Sequence, residues 1–167
     1  MRVGVNETVA RLQSELSVAL EPVLAAKDPT YIVAVGDLLR VAAWLRDMGG
    51  YDYLSSVTGV DRGEAFEVVY HLYCSQGGGP LVLKVTRPWS EASVPSLVGV
   101  WPAAEFQERE VYDLLGIGFE GHPDLRRILL WEGFPGHPLR KGYENRTVAH
   151  VEMLATMGGD EVPHVED

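Results

Sequence analysis

The sequence predicts an α+β fold, with helices on one face of a largely antiparallel sheet of about five strands, followed by an extended C-terminal tail. Two observations predict this class. Helical and strand patterns follow each other in the order helix, two strands, helix, three strands, helix. The last three strands are joined by short turns rich in Gly, Asp and Ser, which suit hairpins and are too short for parallel crossovers.

The N-terminal part predicts one helix and a pair of strands. Val9, Leu12 and Leu16 recur at helical spacing after Asn6, a residue that favours helix N-caps, so we expect a helix at about residues 7–18. The runs EPVLAA and TYIVAV are rich in β-prone residues and are separated by Lys, Asp and Pro. We interpret them as two paired strands joined by a turn.

The middle of the chain predicts a second helix and three further strands. Asp37 is placed to cap a helix with an apolar face, and Gly49 and Gly50 are placed to end it. The runs DYLSSVTGV, AFEVVYHLYC and PLVLKVTRP have strand length, and the second of them alternates apolar side chains onto one face. We expect these three strands to be antiparallel neighbours.

A third helix is predicted over residues 102–115, with a proline at its start. A helical projection gathers the small and aliphatic residues on one face, which we expect to pack on the sheet. The other face carries Glu105, Arg109 and Asp113 at four-residue spacing, where one exposed guanidinium could bridge two carboxylates. Phe106 lies within this charged face, and an exposed aromatic ring there favours a partner-binding surface.

The third helix runs into GIGFEG at residues 116–121, which matches the dinucleotide-binding pattern G-x-G-x-x-G. That pattern binds a pyrophosphate only where a buried strand precedes it and a helix opens within it. Here a charged helix precedes it, and WEGFPGHPLRKGY occupies the place of the second strand. We therefore expect no nucleotide site, and we interpret Gly116 as the glycine that ends the helix in a left-handed conformation.

The tail, residues 122–146, combines prolines and glycines with apolar and basic residues. Its sequence repeats a His-Pro step, in HPDLRR and HPLRK, and carries Leu, Ile, Trp and Phe side chains. Pro and Gly disfavour regular structure, while the apolar residues would form a large patch if the segment stayed in water. We therefore expect the tail to be extended and to dock against another protein.

A catalytic interpretation of the same region is an alternative. His122 and His137, with Asp124 or Glu110, could form an acid–base pair or bind a metal. Their spacing matches no metal motif such as H-E-x-x-H, and the chain has no Ser-centred nucleophile elbow. A small stand-alone enzyme is therefore the less favoured hypothesis.

The composition narrows the classes of function. A formal net charge of −10 disfavours nucleic acid as a partner. The single cysteine, Cys74, allows no internal disulfide and provides too few thiolates for an iron–sulfur cluster. No apolar run approaches the roughly 20 residues that span a bilayer, and no leader-like stretch is expected at the N-terminus. We expect an α+β domain at 1–121, the tail, and an acidic, flexible segment at 147–167.

The segments EREVYDLLGIGFEGHPDLRRILL and GHPLRKGY resemble the signature of the C subunit, or 30 kDa subunit, of NADH:quinone oxidoreductase, the respiratory complex I family. The resemblance implies a non-catalytic structural subunit in the peripheral arm of a proton-translocating complex. It implies that this chain carries no cofactor and that FMN and the iron–sulfur clusters lie in other subunits. It also implies a peripheral position at the cytoplasmic face of the membrane, without a membrane span of its own.

The resemblance further implies which partners the chain binds. In this family the third helix and the tail lie against the quinone-site subunit and the subunit that bears the terminal iron–sulfur cluster. The equivalent subunit of a membrane-bound hydrogenase or of a ferredoxin-oxidising complex is a second alternative. The residues expected to bind the partners are Phe106, Glu108, Arg109, Glu110, Tyr112, Asp113, His122, Pro123, Asp124, Leu125, Arg126, Arg127, Trp131, His137, Pro138, Leu139, Arg140 and Lys141.

Overall fold

The computed structural model describes residues 4–144, and its elements follow the predicted order with two short additional strands. The last two residues of the tail and the predicted acidic segment at 147–167 lie outside the described residues. Within residues 4–144, no helix combines the length and the apolar character needed to cross a bilayer. The helices and strands of this region are α1 (Val5–Leu16), β1 (Leu20–Pro22), β2 (Thr30–Val33), α2 (Leu38–Asp47), β3 (Tyr53–Asp61), β4 (Ala65–Tyr73), β5 (Pro80–Pro88), β6 (Ser93–Pro95), α3 (Ala104–Leu115) and β7 (Gly118–Glu120).

Five strands form one sheet in the order β1-β2-β5-β4-β3. β1 pairs with β2 as expected, and β3–β4 and β4–β5 are antiparallel, as their short turns predicted. The pair β2–β5 is parallel, which the sequence pattern did not predict. This pairing follows from the long connection, because α2 and the hairpin β3–β4 lie between the two strands and return the chain to the same end of the sheet. The predicted α+β class is confirmed.

The core lies on one face of the sheet. Phe66, Val68, Tyr70 and Leu72 of β4 alternate onto this face as predicted, and each is 0–1% exposed. The buried residues of all three helices join these side chains in one apolar cluster of the described chain. The helices therefore cover the face of the sheet that carries the core.

Helix α3 packs closely against β3 because the strand carries a glycine at the contact. A Cβ atom at Gly59 would lie 2.5 Å from Leu115 Cδ1 and 2.8 Å from Val111 Cγ1. A larger side chain would push the helix away from the sheet. The backbone N–H of Val57, on the edge strand, donates to Gln107 Oε1 of the helix at 2.7 Å. Both contacts fix the position of α3 relative to β3.

Of the two predicted helix caps, Asn6 is wrong, whereas Asp37 has the predicted position but not the capping bond. Asn6 lies within α1 rather than before it, and its Oδ1 accepts a hydrogen bond from the Tyr31 hydroxyl at 3.1 Å. Asp37 precedes α2 but makes no capping bond, and its carboxylate accepts a bond from Arg40 at 3.1 Å. In both cases another side chain replaces the backbone N–H group that a capping residue would bind.

A second sheet of two strands was not predicted. β6 and β7 pair in parallel, with Val94 opposite Phe119. Each strand has three residues, which are too few to show an alternating pattern. Because β7 contains the middle of GIGFEG, this segment forms a strand where a dinucleotide fold would begin a helix.

Candidate functional site

Helix α3 ends at Gly116, and the tail folds back across the end of the helix. Gly116 has φ +70°, so the prediction of a left-handed glycine at this position is confirmed. A Cβ atom here would lie 2.5 Å from atoms of the His137 ring and 2.6 Å from Arg140 Nη2. Glycine is therefore required both by the backbone conformation and by the close passage of the tail.

The tail provides hydrogen-bond donors for the last carbonyl groups of α3, which have no partners within the helix. Three hydrogen-bond donors within residues 137–140 bond to the carbonyl oxygens of residues 113–115 at 2.6–3.0 Å. These contacts are His137 Nδ1 to Asp113, Leu139 N to Leu114 and Arg140 Nε to Leu115. The described tail thus serves as the C-terminal cap of α3.

The tail also forms a hydrogen bond with the sheet. The backbone N–H of Lys141 donates to Asp61 Oδ2, at the end of β3, at 2.8 Å. The sequence analysis missed Asp61, because it lies 80 residues from Lys141 and no local pattern connects the two.

Asp113 holds the first part of the tail, and its side chain is fully buried. Its Oδ2 accepts the backbone N–H groups of residues 128–130 at 2.8–3.0 Å, and its Oδ1 accepts a bond from Arg127 Nη1 at 2.9 Å. Arg127 Nη2 donates in turn to the carbonyl groups of Phe134 and Gly136 at 3.1 and 3.0 Å. This carboxylate and guanidinium therefore connect α3 to two separate stretches of the tail.

The charge of Asp113 is stabilised by these partners. Burial acts to raise the pKa of Asp113, but the three backbone N–H groups and the Arg127 guanidinium outweigh burial, and the pKa lies below its ordinary value. Asp113 is therefore ionised in the folded protein at neutral pH, and the path of the tail depends on that negative charge.

The expected exposed ladder on α3 is wrong. Arg109 is only 6% exposed, and Asp113 is 0% exposed. Arg109 Nε and Nη2 donate to the carbonyl groups of Arg126 and Arg127, both at 3.1 Å, instead of bridging Glu105 and Asp113. The tail covers this face of the helix, so its backbone carbonyl and N–H groups replace water as partners for the charged side chains.

Glu108 also lies inside the fold, although the family resemblance implies a role in partner binding. Its side chain is 0% exposed and accepts bonds from the Ser96 hydroxyl at 2.6 Å and the Leu97 N–H at 2.7 Å. Burial raises the pKa of Glu108, and these two bonds and the electrostatic interaction with His122 oppose the rise only in part. Glu108 therefore fixes the loop before α3, a contact that the sequence analysis missed.

Both histidines of the tail bond to backbone groups of their own chain. His122 Nδ1 accepts the N–H of Asp124 at 3.0 Å, which leaves Nε2 as the donor to the Glu105 carbonyl at 3.1 Å. His137 Nδ1 donates to the Asp113 carbonyl, as described above. Among the residues that the structure describes, no three His, Cys, Asp or Glu side chains converge as a metal site requires. The catalytic alternative gains no support from these positions.

Helix α3 and the tail expose several large apolar side chains in addition to charged ones. Of the eleven exposed large hydrophobic residues among residues 4–144, five lie in these two segments. The rings of Trp131 and Phe134 pack in a T-shaped arrangement, with centroids 4.7 Å apart. The five residues, which we call the apolar set, are Phe106 (60% exposed), Ile128 (37%), Leu129 (61%), Trp131 (48%) and Leu139 (60%).

The structure divides the expected partner-binding residues into two groups. The exposed group combines apolar and polar side chains, as protein interfaces do. Its members are Phe106, Glu110, Pro123, Asp124, Arg126, Trp131, Leu139 and Lys141. The buried or half-buried group is Glu108, Arg109, Tyr112, Asp113, His122, Leu125, Arg127, His137, Pro138 and Arg140.

Comparisons with known proteins find similar sequences over most of the chain. Residues 31–148 match the family model described as respiratory-chain NADH dehydrogenase, 30 Kd subunit. The chain is 42% identical over 121 residues to the C subunit of NADH-quinone oxidoreductase from Moorella thermoacetica, covering 71% of this chain and 82% of that protein. It is 35% identical over 142 residues to the C subunit from Geotalea uraniireducens, covering 83% and 87%.

Two solved structures are similar in fold. The trypsin-resistant fragment (1-134) of Nqo5 matches with a TM-score of 0.61 and 28% identity, over 72% of this chain and 98% of the fragment. A chain of the membrane-bound sulfane sulfur reductase, an archaeal respiratory membrane complex, matches with a TM-score of 0.70 and 22% identity, over 97% and 96%. At this identity the second match shows the shared fold alone.

Proposed function

Because the chain belongs to the family of the 30 kDa subunit of respiratory-chain NADH dehydrogenase, we propose that it is a non-catalytic structural subunit of a proton-translocating NADH:quinone oxidoreductase. It lies in the peripheral arm, at the cytoplasmic face of the membrane, and electrons pass from NADH to quinone through other subunits. Those subunits hold the FMN and the iron–sulfur clusters. Its partners are the quinone-site subunit and the subunit that bears the terminal cluster.

The observation that carries this proposal is the apolar set, displayed on α3 and on a tail that its own domain holds in place. Exposed aromatic side chains such as Phe106 and Trp131 are enriched in protein interfaces, and exposed apolar surface marks sites of interaction. Because Asp113 and Arg127 already fix the tail, docking does not require the entropy cost of ordering a flexible segment. The tail therefore offers a preformed binding surface.

The hydrogen bonds of the buried polar side chains also agree with a structural role. Arg109, Asp113, Arg127 and Arg140 all bond to backbone groups of α3 or the tail. Side chains that are committed in this way stabilise a conformation, whereas a catalytic group has to reach a reacting atom. We therefore assign these four residues to shaping the surface.

Co-purification tests the proposal. An affinity tag on the chain in its source cells, followed by mild solubilisation of the membranes, is expected to recover the quinone-site and terminal-cluster subunits together with NADH:quinone activity. Deleting the chain is expected to remove the peripheral arm from the membrane, because a docking subunit is lost and not a chemical step. Recovery of the tagged chain alone, with stoichiometric metal or with turnover of its own, would contradict the proposal.

The subunits that co-purify also identify the kind of complex. If hydrogenase or ferredoxin-oxidising subunits co-purify instead of NADH-oxidising ones, the electron donor of the complex is not NADH. The structural role proposed for this chain is unchanged in that case. The fold similarity to the sulfane sulfur reductase chain does not choose between these donors.

A further inference from the structure

The two edges of the five-stranded sheet differ in how well they are protected against pairing with another chain. Proteins usually protect an edge with a short strand, a proline, a lysine or a bulge. At one edge, β1 has three residues and ends in Pro22. At the other edge, β3 has nine residues without proline or lysine, and its bulge between Leu54 and Ser56 interrupts only the first part. We call the side of β3 that faces away from β4 the free edge.

The hydrogen-bond alternation of the hairpin β3–β4 determines which backbone groups point to the free edge. Arg62 N donates to the Ala65 carbonyl at 2.9 Å in the turn, and every second residue pair before it is bonded in the same way. Val57 and Gly59 belong to the pairs in between, so their backbone groups point away from β4. The bond from the Val57 N–H to Gln107 agrees with this direction. Within residues 4–144, the Gly59 N–H and the Val57 and Gly59 carbonyl groups have no hydrogen-bond partner.

A hollow of about 110 Å³ lies between β3 and α3 at residues 57–59. Val111 and Leu115 of α3 are buried beside it, and Leu114 is half-buried. Leu139 of the tail also lines the hollow and is 60% exposed. The apolar lining and the small volume suit a single aliphatic side chain.

We propose that an extended segment of a neighbouring subunit pairs with the free edge of β3 at Gly59 and places one aliphatic side chain in the hollow. The inference rests on the proposed function, because the segment belongs to another protein of the complex. In strand addition of this kind, the main-chain hydrogen bonds provide affinity, and a pocket for a side chain provides specificity.

The chemistry of the free edge selects an extended chain as the occupant. An N–H group and carbonyl groups in a row at one edge are matched by the carbonyl and N–H groups of another strand. A helix uses these groups internally, and an apolar ligand in the hollow would leave those of β3 unpaired. The hollow also adjoins the apolar set, since Leu139 belongs to both. A subunit that covers the apolar set therefore lies next to the free edge.

Contacts at both ends limit the length of the added strand. Gln107 occupies the edge at Val57, and the Lys141 N–H bonds to the Asp61 carboxylate at the end of β3. Residues 58–60 remain between these contacts, so we expect the pairing to be about three residues long. Successive side chains of a strand point to opposite faces, and a segment of this length therefore directs one or two side chains to the α3 side.

Amide hydrogen exchange at Gly59 tests the inference on the intact complex and on the isolated full chain. The Gly59 N–H is expected to exchange at least about tenfold more slowly in the complex, because a carbonyl group of the partner then accepts it. The amides of Thr58 and Val60 bond to β4 in both samples and provide the internal reference. Equal exchange of Gly59 in the two samples would overturn the inference.

A photo-crosslinking residue identifies the segment. With p-benzoylphenylalanine in place of Thr58, an exposed residue next to the free edge, we expect links to one short stretch of another subunit, because neighbouring strands bring side chains to about 5 Å. The same substitution at Leu24, which is 93% exposed, is the matched control and is expected to give no link to that stretch. Links from position 58 to residues 145–167 of this chain, or to no protein, would contradict the inference.

The two proposals fail in different ways. If wild-type chain is not recovered with other subunits, the proposed function fails. If the chain is recovered and the Gly59 amide exchanges as fast in the complex as in the isolated chain, only the inference about the free edge is overturned.

Discussion

Asp113 determines the path of the tail because its single carboxylate accepts four hydrogen bonds from it. Three are donated by consecutive backbone N–H groups and one by Arg127. Bonds to a charged acceptor are stronger than neutral ones, and their loss leaves buried donors without partners. At the scale of the residue, the path of the tail therefore depends on the buried carboxylate of Asp113. The four-residue spacing of Glu105, Arg109 and Asp113 had predicted that this carboxylate is exposed.

Asp113→Asn is expected to destabilise the isolated chain by about 3 kcal/mol, because the amide has one acceptor oxygen for four donors and leaves Arg127 without its buried anion. Urea unfolding of the full chain measures the change. Asp124→Asn is the matched control, since Asp124 pairs with Arg126 on the surface of the same tail and little change is expected there. Equal effects of the two substitutions would contradict the central role of Asp113.

The same substitution is expected to change the response to acid. Since the folded-state pKa of Asp113 is lowered, its contribution to stability is present above the ordinary pKa of an aspartate and is lost as pH falls through the lowered value. Asp113→Asn removes this titration, so unfolding free energy measured from neutral to acidic pH should fall less steeply than in wild type. A steeper fall in the variant would contradict this assignment.

Glu108 is expected to show the opposite pH dependence. Its folded-state pKa is raised, so its contribution decreases as pH rises from the ordinary pKa of a glutamate through the raised value. Glu108→Gln can keep both bonds to Ser96 and Leu97 and should abolish this decrease. Glu108→Ala should lose about 1–3 kcal/mol at every pH, because the Leu97 N–H loses its buried acceptor. Unfolding curves at several pH values test both variants.

At the scale of the element, α3 and the tail form one unit, because the tail caps the helix. The last carbonyl groups of α3 are satisfied by side-chain and backbone donors that lie more than 20 residues further along the chain. Gly116 makes this possible, since it ends the helix in a left-handed turn and leaves room for His137 and Arg140.

Gly116→Ala is expected to destabilise the chain more than Gly121→Ala. Both glycines have positive φ, so each substitution costs roughly 1–2 kcal/mol in backbone strain. A Cβ at Gly121 meets no atom within 4 Å, whereas at Gly116 it overlaps His137 and Arg140, which adds about 1–3 kcal/mol. Chemical denaturation of the two variants measures the difference. Equal losses would show that the tail does not pass close to Gly116 in solution.

Sequence patterns predicted the elements better than the surfaces they form. The hairpins of β3, β4 and β5 were predictable because short turns determine their pairing. The parallel pair β2–β5 was not, since it joins strands separated by a helix and a hairpin. The charged face of α3 was predicted to be exposed because four-residue spacing indicates ion pairs, and spacing along a helix contains no information about a distant segment that covers it.

At the scale of the whole molecule, the three helices cover the core face of the sheet, and α3 and the tail display the apolar set on their exposed side. The family signature indicated that α3 and the tail bind partners, but it did not separate the residues that shape the tail from those that are exposed on it. That distinction depends on long-range contacts such as Lys141 with Asp61.

Recovery of the complex with a chain altered in the apolar set decides whether this surface is the docking site. Phe106→Asp combined with Leu129→Asp is expected to lower recovery about tenfold or more, because charged groups then replace apolar anchors. Both side chains are at least 60% exposed, so thermal unfolding of the isolated variant should match wild type. Leu24→Asp, at a side chain 93% exposed in the turn after β1, is the control and should assemble normally. Wild-type recovery of the double variant, or an equal loss in the control, would contradict docking through the apolar set.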